Sequence, residues 1–436
     1  MKYPRVLIVT LGRINAADTD NNGLLLRNLF GAWPKENLAQ IYSSGDNGDI
    51  GFFGQYYQLG PPERRLGRLF YRMKTEAHSI KDSSYANMAA KQSGTITARK
   101  SVIKQYIIDT GIYELIFRPR LSPNMLSWVN DFQPDIIFAQ GYNLTFTWLP
   151  VMIKKKIDAR LAFLTTDDWP TYLYSGQLGV QTTFKWIVRP VVNKATKYLL
   201  LYADVPFAFG QPMADEYTKR YKKNFIALSH ADDPSRFEET ATLRSHPSDI
   251  FTILAMGNFN EFRWPLLLDV NECCRLLNAQ GIKARVAVLS AGIDPEGEYK
   301  LRKAEYIDIF QDPGHDRLPS YLKGADLLLL AEGFEAGFVS AIRFSVSSKS
   351  HLFMFSRRPI LVYGHHDTGV IKYADAYNWG YTVKNRNVNE LCKVITMILH
   401  NKDKNKKMIE NAIKVAETFH VSQSNQLKFI TALTMQ

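Results

Sequence analysis

The chain has 436 residues, 46% of them hydrophobic and 22% charged, with a formal net charge of +12 and an isoelectric point near 9.3. This is the composition of an ordinary globular protein, and the length predicts two domains of roughly 200 residues each. No apolar stretch approaches the ~18 to 20 residues of a membrane-spanning helix, and the positive charge indicates an anionic partner: nucleic acid, a membrane surface or a phosphorylated small molecule.

Cysteine content and the N-terminus both favour a cytoplasmic protein. The cysteines Cys273, Cys274 and Cys392 are too few for a disulfide framework, and their spacing matches no zinc site. The apolar part of MKYPRVLIVTLG is too short for a signal peptide, and we interpret it as a first β-strand.

Short apolar runs alternate with helical patterns along most of the chain. In the first half the runs are 5–11, 135–139, 160–166, 205–209 and 224–228; after a polar stretch at 229–249, interpreted as a linker, they are 250–257, 284–290, 306–310, 325–331, 359–364 and 380–383. Such alternation predicts parallel sheets covered by helices on both faces. We therefore predict an α/β protein of two Rossmann-like domains, at 1–235 and 246–415, with 416–436 as a C-terminal helix packing back towards the N-terminal domain.

Residues 61–128 do not follow this alternation. They contain basic segments interleaved with large apolar residues, such as PPERRLGRLFYRMK. One interpretation is a helix lying on an anionic membrane surface. The other is a basic helical insertion that packs on its own sheet and exposes a charged face.

The strand ends of the second half carry the residues of greatest interest, because ligands bind at the carboxyl ends of strands in open α/β sheets. Gly257 ends one run, and Arg263 lies just before the next predicted helix. The Ser347–Ser348 pair can cap another helix, which would place Lys349 in its first turn. Two cations beside helix N-termini predict a diphosphate site.

The stretches HDRLPSYLKGADLLLLAEGF and SVSSKSHLFMFSRRPILVYGHHDTGVIKYADAYNWGYTV resemble the donor-binding domain of retaining glycosyltransferases with the GT-B fold, especially those of bacterial surface-polysaccharide assembly. MADEYTKRYKKNFIAL and NNGLLLRNLF are similar to parts of their N-terminal domain. The resemblance implies two Rossmann-like domains whose parallel sheets face each other across a cleft, with a nucleotide-sugar bound to the second.

The resemblance also implies roles for individual residues. Arg263 and Lys349 would contact the donor diphosphate, and Asp168 in TTDDWP would reach the sugar, so these three are the catalytic candidates. The donor-binding candidates are Gly23, Gly257, Glu332, Gly333, Phe334, Ser348 and His351.

Three positions depart from the family pattern, and one of them is Arg357, which replaces a small residue near Pro359. Leu352 stands where many relatives carry a ribose-binding glutamate, and Asn258 replaces an arginine. Asp18 and Asp20 have a metal-binding spacing, but the resemblance implies that basic residues, rather than a metal, neutralise the leaving diphosphate. We expect no metal and no cofactor.

The preferred hypothesis is a cytoplasmic enzyme, at the inner face of the membrane, that transfers a sugar from a UDP- or GDP-linked donor to a glycan or lipid-linked acceptor. A nucleotide-sugar 2-epimerase and a non-catalytic nucleotide-sugar-binding relative are the alternatives. The sequence contains no nucleic-acid recognition motif, so we do not expect a nucleic-acid partner.

Overall fold

The computed structural model describes residues 3–16, 21–44, 51–65, 112–172 and 185–435. The chain forms two compact units, which we call unit 1 (Met1–Leu228 with Gln426–Gln436) and unit 2 (Ser229–Asn425). Within the described ranges, no helix is both long enough and apolar enough to span a bilayer.

Unit 1 contains a parallel sheet of seven strands. They are β1 (Val6–Val9), β2 (Leu38–Tyr42), β3 (Gln55–Gln58), β4 (Ile136–Gln140), β5 (Arg160–Thr165), β6 (Val205–Phe209) and β7 (Ile226–Leu228), in the spatial order β3-β2-β1-β4-β5-β6-β7. The described helices are α1 (Asn21–Phe30), α2 (Ile112–Ile116), α3 (Pro123–Phe132), α4 (Leu144–Lys154), α5 (Trp169–Tyr172), α6 (Lys185–Tyr202) and α7 (Gln211–Tyr221).

Unit 2 contains a six-stranded parallel sheet. Its strands are β8 (Phe251–Phe259), β9 (Ala284–Ile293), β10 (Ile307–Gln311), β11 (Leu327–Ala331), β12 (Ile360–Tyr363) and β13 (Tyr381–Val383), in the order β10-β9-β8-β11-β12-β13. Its helices are α8 (Ser235–Glu238), α9 (Trp264–Ala279), α10 (Pro295–Arg302), α11 (Leu318–Gly324), α12 (Ala336–Ile342), α13 (Ser350–Phe355), α14 (Gly369–Tyr377), α15 (Val388–His400) and α16 (Lys402–Phe419), and α17 (Ser422–Thr434) follows.

Both strand orders are those of a Rossmann fold, so the predicted pair of parallel α/β sheets is confirmed. Alternate residues of each strand enter different cores. In β11, Leu329 packs in one apolar cluster of unit 2 and Leu328 in the other. Helices therefore cover both faces of the sheet, which is why its strands are near-continuous apolar runs in the sequence.

The sequence analysis missed β2 and β3 because both contain polar residues. Gln40 in β2 is fully buried, and its amide donates to the Thr10 hydroxyl at 2.7 Å and the Gly12 carbonyl at 2.8 Å. Its side-chain oxygen accepts from the Ile14 amide at 3.1 Å. Gln40 thus holds the loop after β1 in place from within the neighbouring strand.

The predicted linker, 229–249, belongs to unit 2. The Asp232 amide donates to the His420 carbonyl, and the Ser229 amide donates to the Asn425 side chain, each at 3.0 Å. At the C-terminus, 416–436 is not one helix, since α16 ends at Phe419. Within unit 1, Phe429 of α17 packs edge-on against Phe30 and Phe138.

The insertion predicted at 61–128 is described only at its two ends. The first end is a short 3-10 helix at Pro61–Glu63, and the second contains α2 and α3. Residues 66–111 lie outside the described residues, and so do Asp18 and Asp20.

Cys273 in α9 and Cys392 in α15 form a disulfide, which the sequence analysis did not predict and which removes the cysteine-based argument for a cytoplasmic protein. The two residues are 119 positions apart, so their pairing could not be read from spacing. Cys274 remains a buried thiol, and burial raises its pKa to about 12.

Asp168, a catalytic candidate, is buried just after β5. Its side-chain oxygens accept from the guanidinium of Arg220 at 2.6 and 3.0 Å and from the hydroxyl of Tyr217 at 2.9 Å. Both partners lie on α7. The carboxylate therefore links the end of β5 to α7 inside unit 1, which favours a structural role.

We expect Asp168→Ala to lower the free energy of unfolding by about 3 kcal/mol, because the partly buried Arg220 would lose one of its two carboxylate partners, the other being Glu216, and the buried Tyr217 hydroxyl would lose its acceptor. Urea denaturation followed by circular dichroism measures this loss. Asp215→Ala, an exposed position on α7, is the matched control and should change stability by less than ~0.5 kcal/mol. If Asp168→Asn kept the stability of the wild type but abolished sugar transfer, that result would instead support the catalytic role of Asp168.

Reduction of the Cys273–Cys392 bond should lower the free energy of unfolding by up to about 5 kcal/mol, since the bond closes a long loop in the unfolded chain. Thermal unfolding with and without a phosphine reductant measures the effect. Cys392→Ser should be insensitive to the reductant. Equal stability of the oxidised and reduced chains would contradict this expectation.

Candidate functional site

The candidate site lies where the strand order of unit 2 reverses. β8 is the middle strand from which the chain passes first to β9 and later to β11 on its other side. Loops that leave neighbouring strands in opposite directions open a crevice at this point. The loop after β8 carries Arg263, and the loop after β11 begins with Glu332.

Arg263 and Glu332 form an ion pair across this point. The Nε and Nη2 atoms of Arg263 donate to the Glu332 carboxylate at 3.2 and 2.7 Å. The Glu332 side chain is only 5% exposed, whereas 21% of the Arg263 side chain remains exposed. The buried carboxylate therefore fixes the direction of a guanidinium that solvent can still reach.

Aromatic rings fix the other side of the guanidinium. The Phe338 ring centroid is 5.2 Å from the central carbon of Arg263, within the range of a cation–π interaction. Phe262 stacks on Phe338 with centroids 4.9 Å apart. Gly333 leaves room for this packing, because an added Cβ would lie 2.6 Å from Phe338.

Lys349 lies directly over Gly257. A Cβ added at Gly257 would overlap the Cε atom of Lys349 and lie 2.8 Å from its Nζ. Gly257 has a φ of +120° and sits at a bulge in β8, between Met256 and Asn258. Only glycine satisfies both the backbone angle and the close approach of the lysine.

Ser290 supports this glycine from the neighbouring strand β9. Its hydroxyl donates to the Gly257 carbonyl at 2.7 Å. The sequence analysis did not single out Ser290, whose only signal is that it ends an apolar run.

The backbone carbonyl of Lys349 accepts from the Phe353 amide at 3.1 Å, but its side-chain ammonium makes no hydrogen bond or ion pair with the other described residues. Burial lowers its pKa to about 8, with a further decrease from the charge of Arg263 and an opposing increase from Glu332. Since Glu332 neutralises Arg263, the three side chains together carry one net positive charge when Lys349 is protonated. The local field favours an anion.

The helix after Lys349 differs from its prediction. α13 begins at Ser350, so Lys349 is the residue before the helix and not a member of its first turn. The preceding serines provide no side-chain cap, and Ser348 is partly buried.

Phe334 follows Glu332 at the same edge of the sheet. Its ring packs edge-on against Tyr363, with ring centroids 5.3 Å apart, and its centroid is 6.5 Å from that of His365. Gly364 approaches Glu332 so closely that an added Cβ would lie 2.9 Å from the Glu332 Cβ. The ends of β11 and β12 are thereby held together beside the ion pair.

His351 belongs to a column of three imidazoles rather than to the ion-pair cluster; His351 and His420 are buried, and His230 is partly buried. Its ring stacks between His230 and His420, with centroids 6.1 and 5.9 Å apart. Burial lowers the pKa of His230 to about 3, that of His420 to about 4, and that of His351 well below its usual value. Nδ1 of His351 has no hydrogen-bond partner among the described residues.

Two of the three departures from the family pattern, Leu352 and Asn258, have different surroundings. Leu352 is 8% exposed and packs in an apolar cluster of unit 2, so it is a core residue. Asn258 is exposed at the bulge of β8. The other two candidates, Gly23 in α1 and Asp168, belong to unit 1.

The site can therefore bind an anion through two cations of different character. Arg263 offers an oriented planar guanidinium, and Lys349 offers a point charge on a flexible stem. Together they match the geometry of a phosphate or diphosphate group.

No protein-family model matches the sequence, and no curated protein matches it at significant similarity. Solved structures do match along nearly the whole chain. Sucrose-phosphate synthase from Thermosynechococcus elongatus aligns with a TM-score of 0.59 and 12% identity, covering 97% of this chain and 96% of that one. HepE from Anabaena, in complex with UDP, aligns with a TM-score of 0.59 and 11% identity, covering 99% of both chains.

WaaG, described as a glycosyltransferase involved in lipopolysaccharide biosynthesis, aligns with a TM-score of 0.55 and 12% identity, covering 99% of this chain and all of the other. At these identities the likeness concerns the fold and not the activity. The chain has the GT-B fold of these glycosyltransferases.

Proposed function

We propose that the chain is a glycosyltransferase that moves a sugar from a UDP- or GDP-linked donor to a glycan or lipid-linked acceptor in the synthesis of a cell-surface polysaccharide, in the cytoplasm. The observation that carries the proposal is the placement of Lys349 beside the Arg263–Glu332 pair at the point where the strand order of unit 2 reverses.

This arrangement suits the bond-breaking step. When the bond between the sugar and the diphosphate breaks, negative charge develops on the departing phosphate oxygens. Lys349 and the exposed part of Arg263 would stabilise that charge, in the manner of an oxyanion hole. The proposal assigns this task to side chains and uses no metal ion.

Glu332 has a positioning role in this scheme. It neutralises Arg263 when no donor is bound and holds the guanidinium in one direction. A preoriented cation loses little conformational freedom on meeting the diphosphate, which favours stabilisation of the transition state over mere binding.

The proposal includes retention of configuration, with the acceptor attacking from the face that the diphosphate leaves. Such a reaction requires no enzyme nucleophile. Asp168, the acid first considered near the sugar, already has both oxygens occupied by Arg220 and Tyr217.

The names of similar structures support the donor class and the biological role. HepE structures are described with UDP, with UDP-glucose, and with UDP and glucose. WaaG is described as acting in lipopolysaccharide biosynthesis. Both proteins share the fold over the full length of this chain.

A non-catalytic nucleotide-sugar-binding protein is the second candidate, and the burial of Leu352 favours it. Leu352 stands where many relatives carry the glutamate that binds the ribose, and its side chain packs in an apolar cluster. This position therefore offers a ligand no carboxylate. Incubation with donor alone and with added glycan separates the candidates: transfer requires the glycan, 2-epimerisation needs the donor only, and the binding protein turns over neither.

We expect UDP or GDP, or one of their sugar conjugates, to raise the melting temperature of the wild type. Lys349→Ala should lower the affinity for that nucleotide about tenfold or more, because a charge-assisted contact with the diphosphate is lost. Gly257→Ala should have a similar effect, since its methyl group would displace the lysine stem. Thermal-shift titration of all three proteins measures these changes.

Lys393→Ala is the matched control for this titration, since it removes an exposed lysine of α15. Its nucleotide response should equal that of the wild type. An unchanged response in Lys349→Ala would contradict the diphosphate site. No response of the wild type to any nucleotide would contradict the proposed function.

Diphosphate affinity should fall as the pH rises above about 8, because Lys349 loses its proton there. Below that pH the ammonium is charged and the contact is fully present. Calorimetric titration with UDP or GDP between pH 7 and 9 measures the change, and Lys349→Arg should flatten the profile since arginine stays protonated. A falling profile that persists in Lys349→Arg would assign the effect to another group.

A further inference from the structure

The net positive charge of the chain comes from one unit. Unit 1 contains 30 lysines and arginines against 18 aspartates and glutamates, which accounts for the whole formal charge of +12. Unit 2 contains 24 residues of each sign. The proposed diphosphate site lies in unit 2, so the excess charge of unit 1 requires a separate explanation.

A basic stripe runs along the exposed side of α6. Arg189, Lys194 and Lys197 are exposed at helical spacing, and Tyr198 and Leu201 continue the stripe. The opposite side of the helix is buried through Val188, Val192 and Ala195 in an apolar cluster of unit 1. Among the described residues, the fold therefore packs one side of α6 and leaves the other exposed.

Large apolar and aromatic groups extend from this stripe. Leu201 is 75% exposed, and Tyr198 is 36% exposed. Lys155, just after α4, places its ammonium 5.0 Å from the Tyr198 ring and 4.8 Å from the Tyr202 ring. Its hydrogen bond to the Tyr198 hydroxyl, at 2.5 Å, raises its pKa, so the ammonium is charged at neutral pH.

We call this surface the α4–α6 face, and it consists of Lys155, Lys156, Arg189, Lys194, Lys197, Tyr198, Leu201 and Tyr202. Neither α4 nor α6 contains an aspartate or glutamate. Of the nearby acids, Asp204 pairs with Lys154, and Asp158 is exposed in the turn after Lys156. The face thus has a strongly positive field with an exposed leucine at one end.

We propose that the α4–α6 face docks on the surface of an anionic lipid bilayer. Lysine and arginine side chains near such a surface are attracted by its negative potential. Tyrosines are suited to the headgroup level, and an exposed leucine gains by burial among acyl chains.

A nucleic acid is less well matched to the same face. Its phosphates would meet the lysines, but Leu201 would gain nothing, and Lys155 already lies over the tyrosine rings that bases would need for stacking. This docking does not depend on the proposed transferase activity, and it differs from the membrane contact predicted for 61–128.

Co-sedimentation with vesicles tests the docking in the absence of any nucleotide. We expect the full-length chain to bind vesicles containing about one third phosphatidylglycerol, and to bind neutral phosphatidylcholine vesicles at least roughly tenfold more weakly. Lys194→Glu/Lys197→Glu should reduce binding to the anionic vesicles roughly tenfold or more. Leu201→Ser should weaken binding by a few-fold while leaving its salt dependence unchanged.

The matched control is Lys402→Glu/Lys406→Glu, which makes the same change of charge at two exposed positions of α16 in unit 2. It should bind as the wild type does, and circular dichroism should show all variants to be folded. Equal losses in both double variants would show a non-specific effect of net charge and overturn the proposal. So would equal binding to both kinds of vesicle, no binding to either, or binding to an oligonucleotide but not to vesicles.

Discussion

The ion pair between Arg263 and Glu332 is the interaction on which the site depends, because it joins loops from two neighbouring strands. Parallel sheets with reversing strand order bring such loops together, but they do not fix the side chains that the loops carry. A buried carboxylate does so here, and the rings of Phe338 and Phe262 leave the guanidinium little room to turn. Lys349 then has a defined neighbour, and the two cations can act on one ligand.

The fold could be predicted from the sequence where a strand is buried on both faces. β8 and β11 are apolar runs that end at polar loops, so the reversal point and two of its cations could be found from the pattern alone. β2 and β3 could not, because Gln40 and the residues of QYYQ are polar and find their partners only in the folded sheet. The positions of Ser290 and Phe338 around the site depend on packing, for which the chain contains no local signal.

Asp168 shows the limit of reasoning from strand ends. It follows β5 just as Glu332 follows β11, so the two carboxylates look alike in the sequence. The difference arises from partners: Arg220, 52 residues later, occupies Asp168 within unit 1, whereas Glu332 orients a cation that remains partly exposed. A charge at a strand end indicates a site only when its partner is known, and that partner can lie anywhere in the chain.

The imidazole column of His230, His351 and His420 sets an acid limit for the unit that holds the site. The folded chain keeps these rings neutral, while the unfolded chain would protonate them below a pH of about 6.5. As the pH falls from about 6.5 towards 4, the unfolded state binds more protons than the folded state, and the free energy of unfolding of unit 2 declines. Lys349 loses its charge on the alkaline side, so the pH range in which unit 2 is both stable and able to bind an anion is limited at both ends.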